Sequence, residues 1–367
     1  MDSSFPAEPL LRAATLDVDL AAVAANYRWF AHAAGQASCG ACVKADAYGL
    51  GATPVASTLW QAGCREFFVA SVGEGVALRA RLPDAQIYVL NGYLAHELAA
   101  LRAARLLPVL NDAAQIAAFE ADFPDGLPAA LQIDSGMTRL GLDAADLPRL
   151  GARWRRPGAV ALLMSHLACA EQADHPLNRQ QLERFTAAWQ ALGRPRASLA
   201  NSSGVLLGAD WRFDLVRTGA GLYGLNPQPA APNPLRPVVR LTAPVLQVRD
   251  VREDTSVGYG ASYRMQAPGR IATVACGYAD GYPRAASNRA AALIDGVRVP
   301  LIGRLSMDLL MLDVSALPAG MPQPGDAVEL LGAAYDVDAL AAAAGTIGYE
   351  LLTHLGRLCR RRYHATG

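Results

Sequence analysis

Residues 42–51 read Cys-Val-Lys-Ala-Asp-Ala-Tyr-Gly-Leu-Gly, so an apolar strand ends in one lysine, Lys44, and a glycine-rich turn follows at once. The same pattern repeats up to about residue 225: a short apolar run, a polar residue at its end, then an alanine- and leucine-rich helix. The apolar runs lie at residues 41–44, 67–71, 87–91, 107–111, 130–134, 162–166, 197–201 and 215–217. Eight strand–helix units in series predict a (β/α)8 barrel, the TIM-barrel architecture.

Polar residues stand at or near the ends of these runs. The carboxyl ends of parallel barrel strands share one face, and enzymes with this architecture place their chemistry there. The residues expected on that face are Lys44, Ser71, Asn91, Asn111, Asp134, His166, Asn201 and Arg217. The end of a strand alone is enough to explain Ser71, Asn91 and Asn111. A lysine, a histidine and an arginine on one rim are not explained in this way, and they predict a functional site.

The pattern changes after the proline-rich stretch 227–237, which predicts a linker. Strands are predicted at 241–251, 270–277, 291–302 and 307–314, with turns at 295–296 and 324–325, and helices at 337–344 and 349–357. We therefore expect an α/β protein in two domains. Residues 1–235 would form the barrel, and residues 236–367 would form a mostly β C-terminal domain.

Composition excludes several function classes. The 367 residues include 33 Lys and Arg and 33 Asp and Glu, so the net charge is zero and no nucleic-acid partner is expected. No apolar run has membrane-spanning length, and residues 1–14 lack the apolar core of a secretion signal. The six cysteines are scattered, as in a chain with reduced thiols. These features predict a cytoplasmic enzyme without a membrane partner.

Lys44 has two interpretations. The lysine can extend its amine to solvent while its stem packs on apolar surface. Alternatively, the end of a buried strand removes hydration and disfavours the charged amine. A neutral amine is a nucleophile that can form a Schiff base with an aldehyde cofactor. The rest of the chain favours this second interpretation.

Two turns predict a phosphate site. Asn201-Ser202-Ser203-Gly204 and Thr218-Gly219-Ala220-Gly221 follow the seventh and eighth predicted strands. Barrels often bind phosphate after these strands, through hydroxyls and backbone N–H groups. A metal site at His166 with the nearby acidic residues and His175 is disfavoured, because the loop lacks zinc-type spacing. We expect no metal.

Several motifs together resemble the alanine racemase family. They lie at residues 43–51, 133–141, 200–202, 214–224, 277–284 and 303–308, and the likeness extends from about residue 14 to residue 357. The resemblance implies an isomerase that uses pyridoxal 5'-phosphate (PLP). It implies alanine as the small-molecule substrate, with L-alanine and D-alanine interconverted by two bases to supply peptidoglycan. It also implies a homodimer, in which segments 277–284 and 303–308 of one subunit enter the active site of the other.

The resemblance also implies roles for single residues. Lys44 would carry the cofactor and, with Tyr278, act as one of two bases on opposite faces of the substrate. Arg217 would meet the pyridine nitrogen of PLP, and because arginine only donates, that nitrogen would stay unprotonated. A neutral pyridine is a poorer electron sink, which suits racemisation and disfavours transamination.

The remaining implied roles concern binding. His166 would lie against the cofactor ring, and Arg139 would hold the phenolic oxygen of PLP and the substrate carboxylate. The backbone N–H of Met307 would also meet that carboxylate. The other residues expected to bind the cofactor are Tyr48, Asn201, Ser202, Gly219 and Ala220.

Two positions depart from the family pattern. Gln132 lies where many members carry a carbamylated lysine, and residues 351–359 lack a tyrosine that some members place on the phosphate.

Two alternatives to an alanine racemase stay open. A racemase of broader specificity, for example toward serine, is one alternative. A barrel-type PLP decarboxylase is another, although Arg217 and Tyr278 argue against it. A non-catalytic PLP carrier would not need the second domain.

Overall fold

The computed structural model describes residues 13–124 and 126–364. The described chain divides into two compact units. One contains residues 20–238, and the other contains residues 239–364 together with the N-terminal strand β1 (Thr15–Asp19). The proposed division after residue 235 assigned this strand to the barrel, whereas the strand pairs with strands of the second unit. Most of the N-terminal stretch predicted to lack a secretion signal lies outside the described residues.

The first unit is the predicted barrel. Eight parallel strands have the order β8-β7-β6-β5-β4-β3-β2-β9. Backbone hydrogen bonds from Asp214 to Ala197 (3.1 Å) and from Arg217 to Ala200 (2.9 Å) join the two ends of the sheet. The strands are β2 (Ser38–Cys42), β3 (Glu66–Val69), β4 (Gln86–Val89), β5 (Leu107–Leu110), β6 (Ala129–Gln132), β7 (Val160–Met164), β8 (Ala197–Ser198) and β9 (Leu215–Thr218). The predicted fold class of this half is confirmed.

Helices surround these strands and begin at local sequence signals. Ser71 and Asp112 cap α4 and α6 by accepting the backbone N–H three residues later. Pro176 occupies the first turn of α7, where its missing N–H costs nothing. The helices are α1 (Leu20–Ala33), α3 (Ala52–Gln61), α4 (Val72–Arg79), α5 (Leu98–Ala103), α6 (Ala113–Asp122) and α7 (Pro176–Ala191), and α2 (Lys44–Tyr48) is a single turn.

The barrel interior is filled by side chains. The central cluster consists of Phe68, Tyr88, Val109, Ala130, Leu162, Met164 and Leu215, which are at most 1% exposed. The Phe68 and Tyr88 rings stack with their centroids 4.8 Å apart. The barrel is therefore a packed core, and its chemistry must lie on an end face.

The predicted linker is fastened to the barrel. Asn26 on α1 is buried, its side-chain amide donates to the carbonyl of Arg236 (2.9 Å), and its oxygen accepts the N–H of Arg236 (2.8 Å). Residues 227–237 form no helix or strand. They are nevertheless held at their end by a reciprocal pair of hydrogen bonds.

The second unit is mostly β, as predicted. Its large sheet has the order β13-β16-β15-β14-β17-β10-β1-β18, and β13 also pairs with β10, so six strands close into a ring. The elements are β10 (Val239–Val251), β11 (Thr255–Val257), β12 (Tyr263–Met265), β13 (Gly269–Val274), β14 (Ala291–Ile294), β15 (Val297–Ile302), β16 (Leu310–Asp313), β17 (Ala327–Leu331), α8 (Val337–Ala344), α9 (Gly348–Leu358) and β18 (Arg360–His364). The predicted turn at Asp295-Gly296 has positive φ at both residues and joins β14 to β15. No helix in the described ranges has the length and apolar character needed to cross a membrane.

Candidate active site

Lys44 stands at the head of an unusual turn. β2 ends at Cys42, and a turn follows directly after Lys44. In this turn φ is 53° at Ala45, 55° at Asp46, 54° at Ala47 and 57° at Tyr48. Four successive residues are thus left-handed, a conformation that L-residues disfavour because Cβ approaches the following carbonyl oxygen. Backbone hydrogen bonds from Ala47 to Val43 (2.9 Å) and from Gly49 to Ala45 (2.8 Å) close the turn. Lys44 itself is half-buried.

The turn brings Tyr48 to the loop after β9. Tyr48 is buried, and its ring lies 4.7 Å from the ring of Tyr223, centroid to centroid. A Cβ atom placed on Gly219 would lie only 2.6 Å from the Tyr48 hydroxyl. Glycine at 219 therefore allows the hydroxyl to reach this loop, so the Lys44 turn and residues 218–221 are neighbours.

The two predicted phosphate turns are joined to each other. The Ser202 hydroxyl accepts the backbone N–H groups of Gly219 (2.9 Å) and Gly221 (3.3 Å). The Asn201 side chain accepts the N–H of Gly204 (2.8 Å), which shapes the first turn. The hydroxyls of Ser202 and Tyr48 thus meet beside Gly219, which has no Cβ, and hydroxyl donors on this loop fit a phosphate group.

Arg217 lies inside β9 and is 3% exposed. Its guanidinium donates to the carbonyl (2.8 Å) and the hydroxyl (2.6 Å) of Ser198 and to the carbonyl of Ser165. A guanidinium nitrogen lies 3.4 Å from His166 Nδ1. No carboxylate among the described residues contacts Arg217, so its charge is not neutralised by a buried ion pair. Burial lowers the pKa of Arg217 to about 10, and the group stays charged at neutral pH.

His166 is a neutral ring at this position. Burial and the charges of Arg217, Arg139 and Lys44 lower the pKa of His166 to about 3. Because arginine only donates, the Nδ1 atom facing Arg217 accepts, and the proton of the neutral ring lies on Nε2. The structure therefore places Lys44 and Arg217 close enough to His166 to act on its charge, and these three residues are among those that the strand-end pattern placed on one rim. Arg139, which lies on the loop after β6, also acts on His166.

Arg139 projects from a loop that one carboxylate shapes. Asp134 follows β6, and its Oδ1 atom accepts the backbone N–H groups of Gly136 (2.8 Å), Met137 (3.0 Å) and Thr138 (3.1 Å). Gln132 is buried, and its amide donates to the carbonyl of Leu140 (3.0 Å). Gln132 thus holds the backbone of this loop. Its side chain makes no hydrogen bond to the Arg139 side chain in the part of the chain that the structure describes.

Tyr278 and Met307 lie together in the second unit. The N–H of Tyr278 donates to Ser306 (3.1 Å), and the N–H of Ala279 donates to Met307 (2.9 Å). A Cβ atom on Gly277 would lie 2.1 Å from the Met307 carbonyl oxygen, so only glycine permits this approach. Tyr278 and Met307 are 41% and 54% exposed within the chain.

The sequence matches profiles of two domains over almost its whole length. The alanine racemase N-terminal domain matches residues 18–227, and the alanine racemase C-terminal domain matches residues 238–363. The chain belongs to the alanine racemase family. The predicted family is therefore confirmed.

Named relatives and solved structures of the alanine racemase family agree. The chain is 46% identical to the alanine racemase of Methylobacterium sp. (strain 4-46), over 95% of this chain and 97% of that protein. It superposes on the alanine racemase from Bartonella henselae with covalently bound pyridoxal phosphate at a TM-score of 0.90 and 38% identity, covering 96% and 99% of the two chains. It superposes on the biosynthetic alanine racemase from Pseudomonas aeruginosa at a TM-score of 0.90 and 41% identity, covering 96% of this chain and 100% of that chain.

Two residues of this alanine racemase site were not found from the sequence. Gln181 on α7 is fully buried; it donates to the carbonyl of His166 (2.8 Å) and to Ser135 (3.1 Å) and accepts from Ala168 (2.8 Å). Glu74 on α4 accepts the N–H of Ala45 (2.8 Å). A polar residue on the apolar face of α7 was the available signal for Gln181. No group of three His, Cys, Asp or Glu side chains among the described residues could hold a metal.

Proposed function

We propose that this protein interconverts L-alanine and D-alanine with PLP as its cofactor. The observation that carries the proposal is the barrel rim, where Lys44, Arg217 and His166 lie together beside the Ser202 and Gly219 loops. The comparisons confirm the predicted activity, enzyme class and cofactor, because relatives 43–47% identical over nearly the full length are alanine racemases. The alternatives, an amino-acid racemase of broader specificity and a barrel-type PLP decarboxylase, are not favoured.

The rim has the groups that PLP requires. Lys44 would hold the cofactor aldehyde through its amine, while Tyr48, Asn201, Ser202, Gly219 and Ala220 would receive the phosphate. Arg217 would donate to the pyridine nitrogen, with His166 as a neutral neighbour of the ring. When bound, PLP withdraws electron density from the substrate and makes its Cα proton acidic.

Racemisation needs a proton acceptor on each face of the substrate. We assign Lys44 to one face and Tyr278 to the other, each removing or returning the Cα proton. Arg139, with its forked donors, and the backbone N–H of Met307 would hold the substrate carboxylate so that Cα lies between the two bases. These residue roles are proposals supported by the positions described above.

A shared active site in a homodimer is part of the proposal. The exposure of Tyr278 and Met307 within the single chain supports it, because a base that moves a proton works best where water is excluded. We also propose a cytoplasmic location and a role in supplying D-alanine to peptidoglycan. The cysteines, which form no disulfide among the described residues, support the location.

The activity is tested with the purified holoenzyme and a panel of L-amino acids, with chiral chromatography of the products. We expect L-alanine to reach an equal mixture with D-alanine, because enantiomers have the same free energy. Serine and larger amino acids should react more slowly. An amine and carbon dioxide as products would identify a decarboxylase and overturn the proposal.

A further inference from the structure

The left-handed turn after Lys44 needs support from outside itself. None of Ala45, Asp46, Ala47 or Tyr48 is glycine or asparagine, the residues that adopt this conformation most readily. A turn of this kind persists only when its surroundings hold it. The Ala45 N–H is the first donor of the turn, and its partner is a side chain from another barrel unit.

That partner is Glu74. Ser71 caps α4, and Glu74 follows three residues later, a spacing that predicts a capping box with the carboxylate on the N–H of Ser71. The structure shows a different arrangement. One carboxylate oxygen accepts the N–H of Ala70 (2.7 Å) and the other accepts the N–H of Ala45 (2.8 Å). Glu74 thus joins the residue that follows β3 to the residue that follows Lys44.

Gln115 shows which of these contacts is special. It occupies the same position of α6, three residues after the cap Asp112, and its oxygen accepts the N–H of Asn111 (2.8 Å). Both side chains therefore hold the residue before their own helix cap. Only Glu74 uses a second oxygen to hold a neighbouring strand end.

We propose that Glu74 is a positioning residue for Lys44. Its carboxylate holds the first N–H of the left-handed turn and thereby fixes the direction in which Lys44 leaves β2. A carboxylate suits this task, because both of its oxygens accept and its charge makes each hydrogen bond about twice as strong as a neutral one. An amide has one acceptor oxygen and turns N–H groups toward the other donor, so Glu74→Gln can satisfy only one of the two contacts.

The importance of the Lys44 direction rests on the proposed function, whereas the contact itself can be tested without it. Hydrogen–deuterium exchange of residues 44–52 is measured by mass spectrometry in protein freed of PLP, for wild type, Glu74→Gln, Glu74→Ala and the matched control Gln115→Ala. We expect at least about tenfold faster exchange in both Glu74 variants, in line with loss of a charged hydrogen bond. Gln115→Ala should match wild type in this segment. Exchange within about twofold of wild type in Glu74→Gln would overturn the proposal.

A second readout links the contact to Lys44. In both Glu74 variants, titration with PLP should give a dissociation constant raised about tenfold, and kcat for alanine should fall more than KM changes, whereas Gln115→Ala should keep the wild-type values. Unchanged hydrogen–deuterium exchange in β4 and β6 shows that the barrel is intact in a variant. If Glu74→Ala does not fold, the result for Glu74→Gln alone decides whether the proposal stands. Faster exchange with unchanged PLP affinity and kcat would mean that Glu74 only stabilises the turn, which contradicts a positioning role. A wild-type protein that binds no PLP would refute the proposed function, while the exchange result would still judge the contact.

Discussion

Arg217 and Tyr278 differ in how far the single chain buries them. Arg217 is 3% exposed, and its hydrogen bonds run to residues of its own barrel, among them Ser165 and Ser198. The backbones of residues 278–279 are hydrogen-bonded to Ser306 and Met307, yet Tyr278 and Met307 are 41% and 54% exposed. The residues proposed to hold the cofactor are thus buried or half-buried within one chain, whereas Tyr278 and Met307 in the second region are exposed.

The strongest test of the region proposed to hold the cofactor is Lys44→Ala. We expect a loss of at least about a thousandfold in racemisation, because both the covalent attachment and one base are removed. Borohydride reduction of the wild type followed by peptide mass mapping should find the pyridoxyl group on Lys44. A label on another lysine would contradict the assignment.

The exposed region is tested by Tyr278→Phe. Racemisation should fall about a hundredfold to ten-thousandfold, the range for loss of a general base. PLP affinity should stay at the wild-type value, because Tyr278 is not among the proposed cofactor contacts. Solvent deuterium should still exchange at Cα, mainly from the enantiomer whose proton faces Lys44. Equal residual exchange from both enantiomers would indicate a single base.

Mixing these two inactive variants asks whether the second region serves a partner. In a dimer with shared sites, one mixed site carries both substitutions and the other carries neither. Random mixing of Lys44→Ala and Tyr278→Phe subunits should therefore restore about a quarter of the wild-type activity. Each variant incubated alone is the control. If the mixture stays inactive although mixed dimers form, Tyr278 acts within its own chain.

Arg217→Glu, compared with Arg217→Lys, probes the buried cluster with a smaller expected effect. A glutamate carboxylate accepts a hydrogen bond from a protonated pyridine nitrogen and stabilises that form. Racemisation should therefore fall about ten- to a hundredfold while the keto acid from transamination rises. Lysine keeps the positive donor and should form little keto acid, although it cannot reproduce the planar fork. Equal keto-acid formation by both variants would show that the charge of Arg217 does not control the nitrogen. Circular dichroism confirms that each variant is folded.

The same two regions show what local sequence reveals. The barrel strands and their polar ends are read from patterns a few residues long, so Lys44, His166 and Arg217 could be placed on one rim. The partner of a strand depends on distant residues, and for this reason β1 was assigned to the barrel although it pairs with β10 and β18. The left-handed turn at 45–48 contains no glycine from which its conformation could be predicted. Its first N–H donates to Glu74 on α4, a contact between distant residues that no local pattern contains.

The smallest expected effect concerns Gln132, the position where many family members carry a carbamylated lysine. Glutamine cannot be carbamylated, and here its amide holds the backbone of the Arg139 loop through the carbonyl of Leu140 (3.0 Å). The loop is further fixed by Asp134, which accepts three N–H groups, so no bicarbonate-derived charge is needed to shape it. Activity should therefore be the same in degassed buffer and in bicarbonate, whereas Gln132→Lys should introduce a bicarbonate response. Wild-type activity that disappears on degassing and returns with bicarbonate would show that another lysine is carbamylated, and that Gln132 and Asp134 alone do not hold the Arg139 loop in its active form.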